Sequence, residues 1–480
     1  MSSIKRNFFY SSILTTANYI FPLLTFPYVS RVLGVTNIGI VNFVDSVIHY
    51  FILVSMMGIN IVGIREVAKC KKNKEELSQT FSGLFWLNSI TTIVALALLA
   101  VVTLAFEQIR TYWHLVAVGA LKLLLNYMLI EWLYKGLEEF KYITYRTILI
   151  KILYVISIFI FVQERDDYQI YYLLTVLMIV LNSVVNLVYS QKYVSFRFKD
   201  VKVFKYAKSF FILGLYTLLN SMYISLNVTW LGFVSGETEV GYYTTASKLY
   251  NILIAVFSAF TGVMLPKMSA LLAEGENDKF KLLLTKACNV LFSFSIPLII
   301  FAIIYTPEII LIISGPNYEG AIMPMRIMMP LILIIGYEQI LVIQTLMPLK
   351  KDRAIFKNSI VGAFTGILLN LFLVPRYEST GAALVWVSSE IIVLLCAQHF
   401  VTRYIKMKFP LIQFLKLAGL NIPLAVILWV SYLFIDHWIS LFFSGLFTVV
   451  YVVFSHAFMI PSSEVMNLVY NCWKNIKSRF

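Results

Sequence analysis

Asp45, His49, Lys122, Lys248, Arg326, Glu338 and Glu390 interrupt otherwise apolar runs of the chain, and they are the side chains with which it could do chemistry. Asn42, Asp45 and His49 follow at i, i+3 and i+7, so a helix there would carry all three on one face. Thr244, Lys248, Asn251 and Ser258 make a second polar stripe of the same period. An acid, an imidazole or an ammonium in apolar surroundings can pair with another charge, carry a proton or hold an ion of opposite sign. A charge at the centre of a bilayer costs roughly 2.5–3.5 kcal/mol on insertion scales. Each is therefore a functional candidate, and each has a structural alternative, an internal ion pair that holds helices together. His49 could be proton-sensitive, although one imidazole is weak evidence. Lys151 and Arg326 lie nearer the ends of their runs, where a long stem can carry its head to the interface.

Catalytic patterns are missing. The chain has no His/Cys ligand cluster, no Gly-x-x-x-x-Gly-Lys-[Ser/Thr] loop and no nucleophile elbow. This leaves no catalytic or metal-binding residues to name, no cofactor, and no ATP hydrolysis by this chain alone.

The surroundings of these residues fix the class. Of 480 residues, 60% are hydrophobic and 13% charged, with mean hydropathy +0.81. Soluble domains carry about a quarter charged residues, and about 20 apolar residues suffice to cross a ~30 Å hydrocarbon core. We read fourteen helical spans: 8–31, 40–63, 79–105, 113–133, 143–162, 169–190, 209–234, 242–266, 288–313, 322–347, 358–374, 381–402, 416–435 and 441–460. The fold class is an all-α polytopic membrane protein. Lys5 and Arg6 precede a first run without a small-residue cleavage site, which predicts an uncleaved helix.

The net charge of +14 would suggest nucleic acid in a soluble chain, but here its placement matters more. Loops rich in Lys and Arg alternate with short acidic ones, such as 163–168 and 235–240. By the positive-inside rule the basic loops and both termini are cytoplasmic. Cys70, Cys288, Cys396 and Cys472 fall in or near that side, so no disulfide framework is implied.

The positioning elements repeat. Gly34-Val35-Thr36-Asn37-Ile38-Gly39 and Gly236-Glu237-Thr238-Glu239-Val240-Gly241 share the pattern Gly-x-Thr-x-[Ile/Val]-Gly, 202 positions apart. At the same offset Thr15 meets Thr217, Asn18 meets Asn220, Thr25 meets Asn227 and Arg65 meets Lys267. This predicts two lobes duplicated in parallel: 1–190 and 209–403, joined by a basic linker at 191–208, with helices 13 and 14 and a tail at 404–480. Ser11, Thr15, Asn18, Pro22 and Thr25 share one face of the first span. Such stripes cannot face lipid. They are either hydrogen-bonding contacts between helices or the walls of a hydrated cavity. Asp45 lies about 9 Å and Lys248 about 10 Å along their helices from the repeated turns, at 1.5 Å per residue.

Pro27, Arg31, Leu33-Gly34, Gly39, Tyr50-Phe51, Gly58, Gly63 and Arg65 form a set that resembles the opening of the Wzx-type polysaccharide and O-antigen repeat-unit flippases of the multidrug/oligosaccharidyl-lipid/polysaccharide exporter superfamily. Gly241-Tyr242-Tyr243, Ala246, Lys248 and Pro266 look similar too. So do Gly315-Pro316-Asn317-Tyr318, Arg326 and Pro330, and then Asn370, Pro375, Tyr377, Gly381-Ala382-Ala383 and Glu390. The resemblance implies two pseudo-symmetric six-helix lobes around a central cavity plus two extra C-terminal helices, in a bacterial inner membrane. Its implied cargo is an undecaprenyl-diphosphate-linked oligosaccharide, with membrane lipids and other polysaccharide-assembly membrane proteins as partners and no nucleic acid. On that resemblance Lys248, Arg31, Lys122 and Arg326 would meet the diphosphate, and Asn18, Asn220 and Asn251 the sugars. Asp45, His49, Glu338 and Glu390 would supply coupling or counter-charge, with H+ and Na+ both open as the coupling ion. A lipid II flippase and a multidrug cation antiporter of the same superfamily are the alternatives. A membrane polymerase or ligase fits less well, because no loop is long enough to carry an external site.

Overall fold

A peptide group that enters hydrocarbon finds no water, so its N–H and C=O must be satisfied within its own segment, and helices do this. The structure is a computed structural model that describes residues 3–197 and 203–459. Among the described residues there are helices and turns and no strand. Some side chains in the helices, those of Thr217 and Asn220 included, lie outside the described residues.

The chain divides into two compact units, Met1–Thr244 and Thr245–Phe480. The first holds α1 (Ser3–Met56), α2 (Ile59–Cys70), α3 (Lys74–Ala105), α4 (Glu107–Arg110), α5 (Trp113–Asn126), α6 (Glu131–Gly136), α7 (Phe140–Phe161), α8 (Tyr168–Ser190) and α9 (Ala207–Ser235). It ends in the first turns of α10 (Glu237–Ala273). The second unit continues with α11 (Asn277–Ile304), α12 (Thr306–Ser314), α13 (Ile322–Met328), α14 (Leu331–Leu341), α15 (Asp352–Ile405), α16 (Leu411–Leu420), α17 (Ile422–Phe434) and α18 (His437–Met459). All fourteen expected spans fall on these helices. α15 holds two, and α1 holds the first and most of the second, which runs on into α2; α1 and α15 are each a pair of helices joined through one non-helical residue, Gly34 and Glu378.

Each unit has its own apolar core. In the first, Ile59, Val62, Phe81 and Leu84 pack with Trp132, Leu133 and Ile143, and in the second, Met268, Phe280, Leu284 and Phe292 pack with Ile340 and Leu341. The two sets come from stretches offset by close to the repeat length. The apolar faces turned away from these cores stay open, as at Val101, Leu104, Ile160, Phe434 and Phe442. Open apolar faces on helices of this length suit lipid rather than water.

The repeated motif separates into two physical requirements. Gly34 (φ 75°, ψ 170°) and Gly236 (φ 88°, ψ 177°) occupy a backbone region that is essentially glycine-only. A Cβ at either would meet nothing within 4 Å, so conformation alone demands the glycine. The second glycine of each copy answers to space instead. A Cβ on Gly39 would stand 1.7 Å from the Glu237 carbonyl oxygen, and one on Gly241 would stand 2.2 Å from that of Val35. These contacts are reciprocal, since Val35 and Glu237 are themselves 202 positions apart. Thr36 and Thr238 join the pair through a 3.0 Å hydrogen bond between hydroxyls, and Asn42 Nδ2 donates to Thr244 Oγ1 at 3.3 Å. Both bonds also link residues 202 positions apart, so the two turns pack as a self-complementary pair inside the first unit.

This packing predicts that a Thr36→Cys/Thr238→Cys variant, in a background without the native cysteines, forms a disulfide readily, because the hydroxyl spacing suits the Cβ separation of about 3.5–4.5 Å that a disulfide needs. Adding Gly39→Val should cut the crosslinking yield at least tenfold, read by gel shift after mild oxidation.

Candidate functional site

Asp45 sits in the second helix of α1, and two neighbours reach it. Its Oδ1 accepts from Lys122 Nζ of α5 at 2.6 Å and from the Tyr172 hydroxyl of α8 at 3.1 Å. Gly119, three residues before Lys122, allows this approach: a Cβ there would lie 2.5 Å from Ile48 Cγ1 and 2.8 Å from the Tyr172 oxygen. The Lys122 side chain is 12% exposed and that of Asp45 35%, so the pair is partly open on the carboxylate side. His49 follows one turn later on the same helix and is half-buried. Ser46, beside Asp45, shares a 2.8 Å hydrogen bond with Thr229 of α9. A partly desolvated ion pair of this kind stores its two charges close to neutral, and a competing ion can draw either partner away.

The same unit contains a second ionic group. Arg146 of α7 is buried, with its side chain 4% exposed, and its Nη2 donates to Glu131 Oε1 of α6 at 2.9 Å. Glu131 also pairs with Lys135 at 3.2 Å, one turn on. The Glu131–Lys135 spacing of i, i+4 was visible in the sequence. The burial of Arg146 was not, because it depends on how α6 and α7 meet.

Other candidates lie apart from the Asp45–Lys122 pair. Asn18 is exposed on the first helix of α1 and accepts from Lys151 Nζ of α7 at 2.6 Å. Arg31 is exposed one turn before Gly34 and donates to the Pro27 carbonyl of its own helix at 3.2 Å. Nearby, the Tyr112 hydroxyl donates to Glu237 Oε1 at 2.6 Å. Burial, and then that carboxylate, holds the Tyr112 phenol above its ordinary titration range. Asn220 lies outside the described residues.

The second unit carries the remaining ones. Lys248 is half-buried and Asn251 exposed, three residues apart on α10. Glu338 lies on α14 and Glu390 on the second helix of α15. Trp386 Nε1 donates to Glu390 Oε1 at 3.3 Å. Gln339, next to Glu338, ties α14 to α10 by accepting from Thr261 at 2.9 Å and donating to Ser258 at 3.0 Å. Arg326 is on α13, twelve residues before Glu338 and on a separate helix. Its Nε donates to the Ile303 carbonyl at 3.2 Å. His437 Nδ1 lies 3.5 Å from Glu308 Oε1 in the same unit, a contact that spacing could not show. No group of three or more His, Cys, Asp or Glu side chains suited to a metal occurs among the described residues.

The Asp45–Lys122 pair predicts non-additive mutants. Lys122→Met or Asp45→Asn alone should destabilise the protein by about 1–3 kcal/mol, the cost of a charge left without its partner. The double variant should recover at least half of that loss in a thermal-unfolding assay in detergent.

Comparison with known proteins places this arrangement. The pattern of the family described as "Polysaccharide biosynthesis protein" matches residues 4–272. A protein of Escherichia coli (strain K12) named "Putative O-antigen transporter" is 27% identical over 401 residues, covering 82% of this chain and 95% of that one. The solved structure "Lipid II flippase MurJ, inward closed conformation" superposes with a TM-score of 0.75 at 15% identity, over 94% of this chain and all of that one. An inward-facing multidrug resistance MATE family transporter of the MOP superfamily superposes with a TM-score of 0.60 at 13% identity, over 85% and 97%. With more than half of its length matched by the family pattern, and with the helical architecture of these multi-pass transporters, the chain belongs to the polysaccharide biosynthesis protein family.

Proposed function

We propose that the protein is a flippase that moves an undecaprenyl-diphosphate-linked oligosaccharide, an O-antigen or capsule/exopolysaccharide repeat unit, from the cytoplasmic to the outer leaflet of a bacterial inner membrane by alternating access. The observation that carries this reading is the family match over 4–272, reinforced by a relative named for O-antigen transport along 82% of the chain. A lipid II flippase and a multidrug cation antiporter share the fold, and the family match favours the oligosaccharide over both. The relatives are transporters, so the activity is translocation and not catalysis.

The cargo's physics fits the side chains. A diphosphate with sugars is too polar to cross hydrocarbon, while a prenyl tail can stay in it, so the protein must offer charge and hydrogen bonds along a path beside lipid. Lys248 is the first residue in this reading to neutralise the diphosphate, with Arg31 and Arg326 as further cations and Asn18, Asn220 and Asn251 as partners for sugar hydroxyls. Lys122 meets an anion only in competition with Asp45, whose carboxylate already holds it at 2.6 Å. An arriving diphosphate would thus free the Asp45 carboxylate, and Asp45, His49, Glu338 and Glu390 are the groups available to take a proton or a cation in exchange. The lobes in this scheme are the duplicated segments 1–190 and 209–403, the basic segment 191–208 is the joint between them, and both termini are cytoplasmic. The Gly34 and Gly236 turns then belong to the outer face and close it.

Lys248→Ala should lower surface polysaccharide at least tenfold while membrane levels of the protein stay at wild type, and lipid-linked repeat units should accumulate in the cytoplasmic leaflet. Normal surface polysaccharide from a well-expressed Lys248→Ala variant would remove Lys248 from this role. A strain lacking the protein that still exports its repeat unit at the wild-type rate would overturn the function itself.

A further inference from the structure

We infer that Lys151 of α7 is an anion-binding residue of the first unit and that its ligand is the cargo's diphosphate; this rests on the flippase reading above. The sequence suggested an ammonium that escapes to the interface along its own stem. Its place on the helix argues otherwise. α7 has 22 residues and Lys151 is near its middle, about 15 Å from either end at 1.5 Å per residue.

What surrounds Lys151 sets it apart from the other cations inside this unit. Lys122 is neutralised by Asp45 at 2.6 Å and Arg146 by Glu131 at 2.9 Å. Among the described residues Lys151 pairs with no carboxylate. Its Nζ donates to the neutral amide oxygen of Asn18 at 2.6 Å and stands 5.6 Å from the centre of the Phe21 ring. An amide oxygen and a ring face steady an ammonium, yet neither cancels its charge. A positive charge held this way in mid-helix is an incomplete ion pair, and an oxyanion would complete it.

The site is also open. Asn18, Thr15 and Thr16 are exposed and Lys151 is half-buried. Hydrocarbon cannot satisfy a row of amide, hydroxyls and ammonium, so this face of α1 and α7 must border water. Lys151 thus supplies the charge that the Thr15–Asn18–Thr25 stripe of α1 lacks. Two anions of a lipid-linked oligosaccharide could use it, the diphosphate and a sugar carboxylate, and the test separates them.

Binding of farnesyl diphosphate, farnesol and glucuronate is measured by calorimetry on the full-length protein in detergent, for wild type, Lys151→Met, Lys151→Arg and Asn18→Ala. The expected result is that Lys151→Met weakens farnesyl diphosphate at least tenfold, that Lys151→Arg stays within threefold of wild type, that Asn18→Ala falls between, and that farnesol is unchanged throughout. Lys151→Met removes a charge from the membrane interior, and thermal unfolding confirms that it is folded. Should it fail to fold, Asn18→Ala and Lys151→Arg decide the matter, and diphosphate affinity equal to wild type in Asn18→Ala would overturn the inference. Equal diphosphate affinity in wild type and Lys151→Met overturns it while leaving the flippase reading intact. Loss confined to glucuronate overturns the diphosphate assignment. Absence of farnesyl diphosphate binding by the wild type would count against both the inference and the flippase reading.

Discussion

A charge inside a bilayer must be paired, hydrated or displaced to the interface, and that constraint orders the structure. Lys122 reaches Asp45 because Gly119 lets α5 close on α1 and α8. Arg146 is buried only where Glu131 meets it. The helices are therefore not interchangeable apolar rods. Their contacts are chosen at the few positions where polar side chains must find one another, and apolar packing fills the rest. Lys151 differs from Lys122 and Arg146, with a neutral amide as partner where those two have an acid, and so it offers an incomplete pair to an anionic ligand.

The paired turns express the same economy through the backbone. Gly34 and Gly236 adopt a conformation that only glycine tolerates well, and Gly39 and Gly241 yield room for the opposite copy's carbonyl. Contacts between residues 202 positions apart, Thr36 with Thr238 and Asn42 with Thr244, are what a duplicated segment produces when its copies meet about a local two-fold. In the proposed alternating-access cycle these turns would be a closure that must hold without being permanent. Two hydrogen bonds, worth about 0.5–1.5 kcal/mol each, would meet that need better than an apolar core.

Much of this was legible before any coordinates. Hydropathy marked the helices, since the bilayer imposes a length and a composition that sequence cannot hide. The 202-residue offset identified the turns, because glycine at a fixed position records a backbone requirement. Which charges pair was not legible. Asp45 and Lys122 lie 77 positions apart, and nothing in spacing joins them. Lys151 was read as able to snorkel because it was placed nearer the end of its run, and its neighbours on α1 come from a helix 133 positions away. Arg146 and Glu131 lie on different helices as well, and only the fold brings them together. Long-range side-chain partnerships depend on helix rotation and tilt, which an apolar run leaves free, whereas its existence as a helix is fixed by the solvent.

The central claim is that this chain carries a lipid-linked oligosaccharide across a bilayer, and transport by the purified protein tests it most directly. The protein is reconstituted into vesicles whose inner leaflet contains a fluorescent undecaprenyl-diphosphate-linked oligosaccharide, and its arrival outside is followed with a membrane-impermeant lectin or glycosidase. The account predicts protein-dependent exposure of the oligosaccharide well above that in empty vesicles. Exposure no faster than in empty vesicles, from protein shown to be folded and inserted, would contradict it.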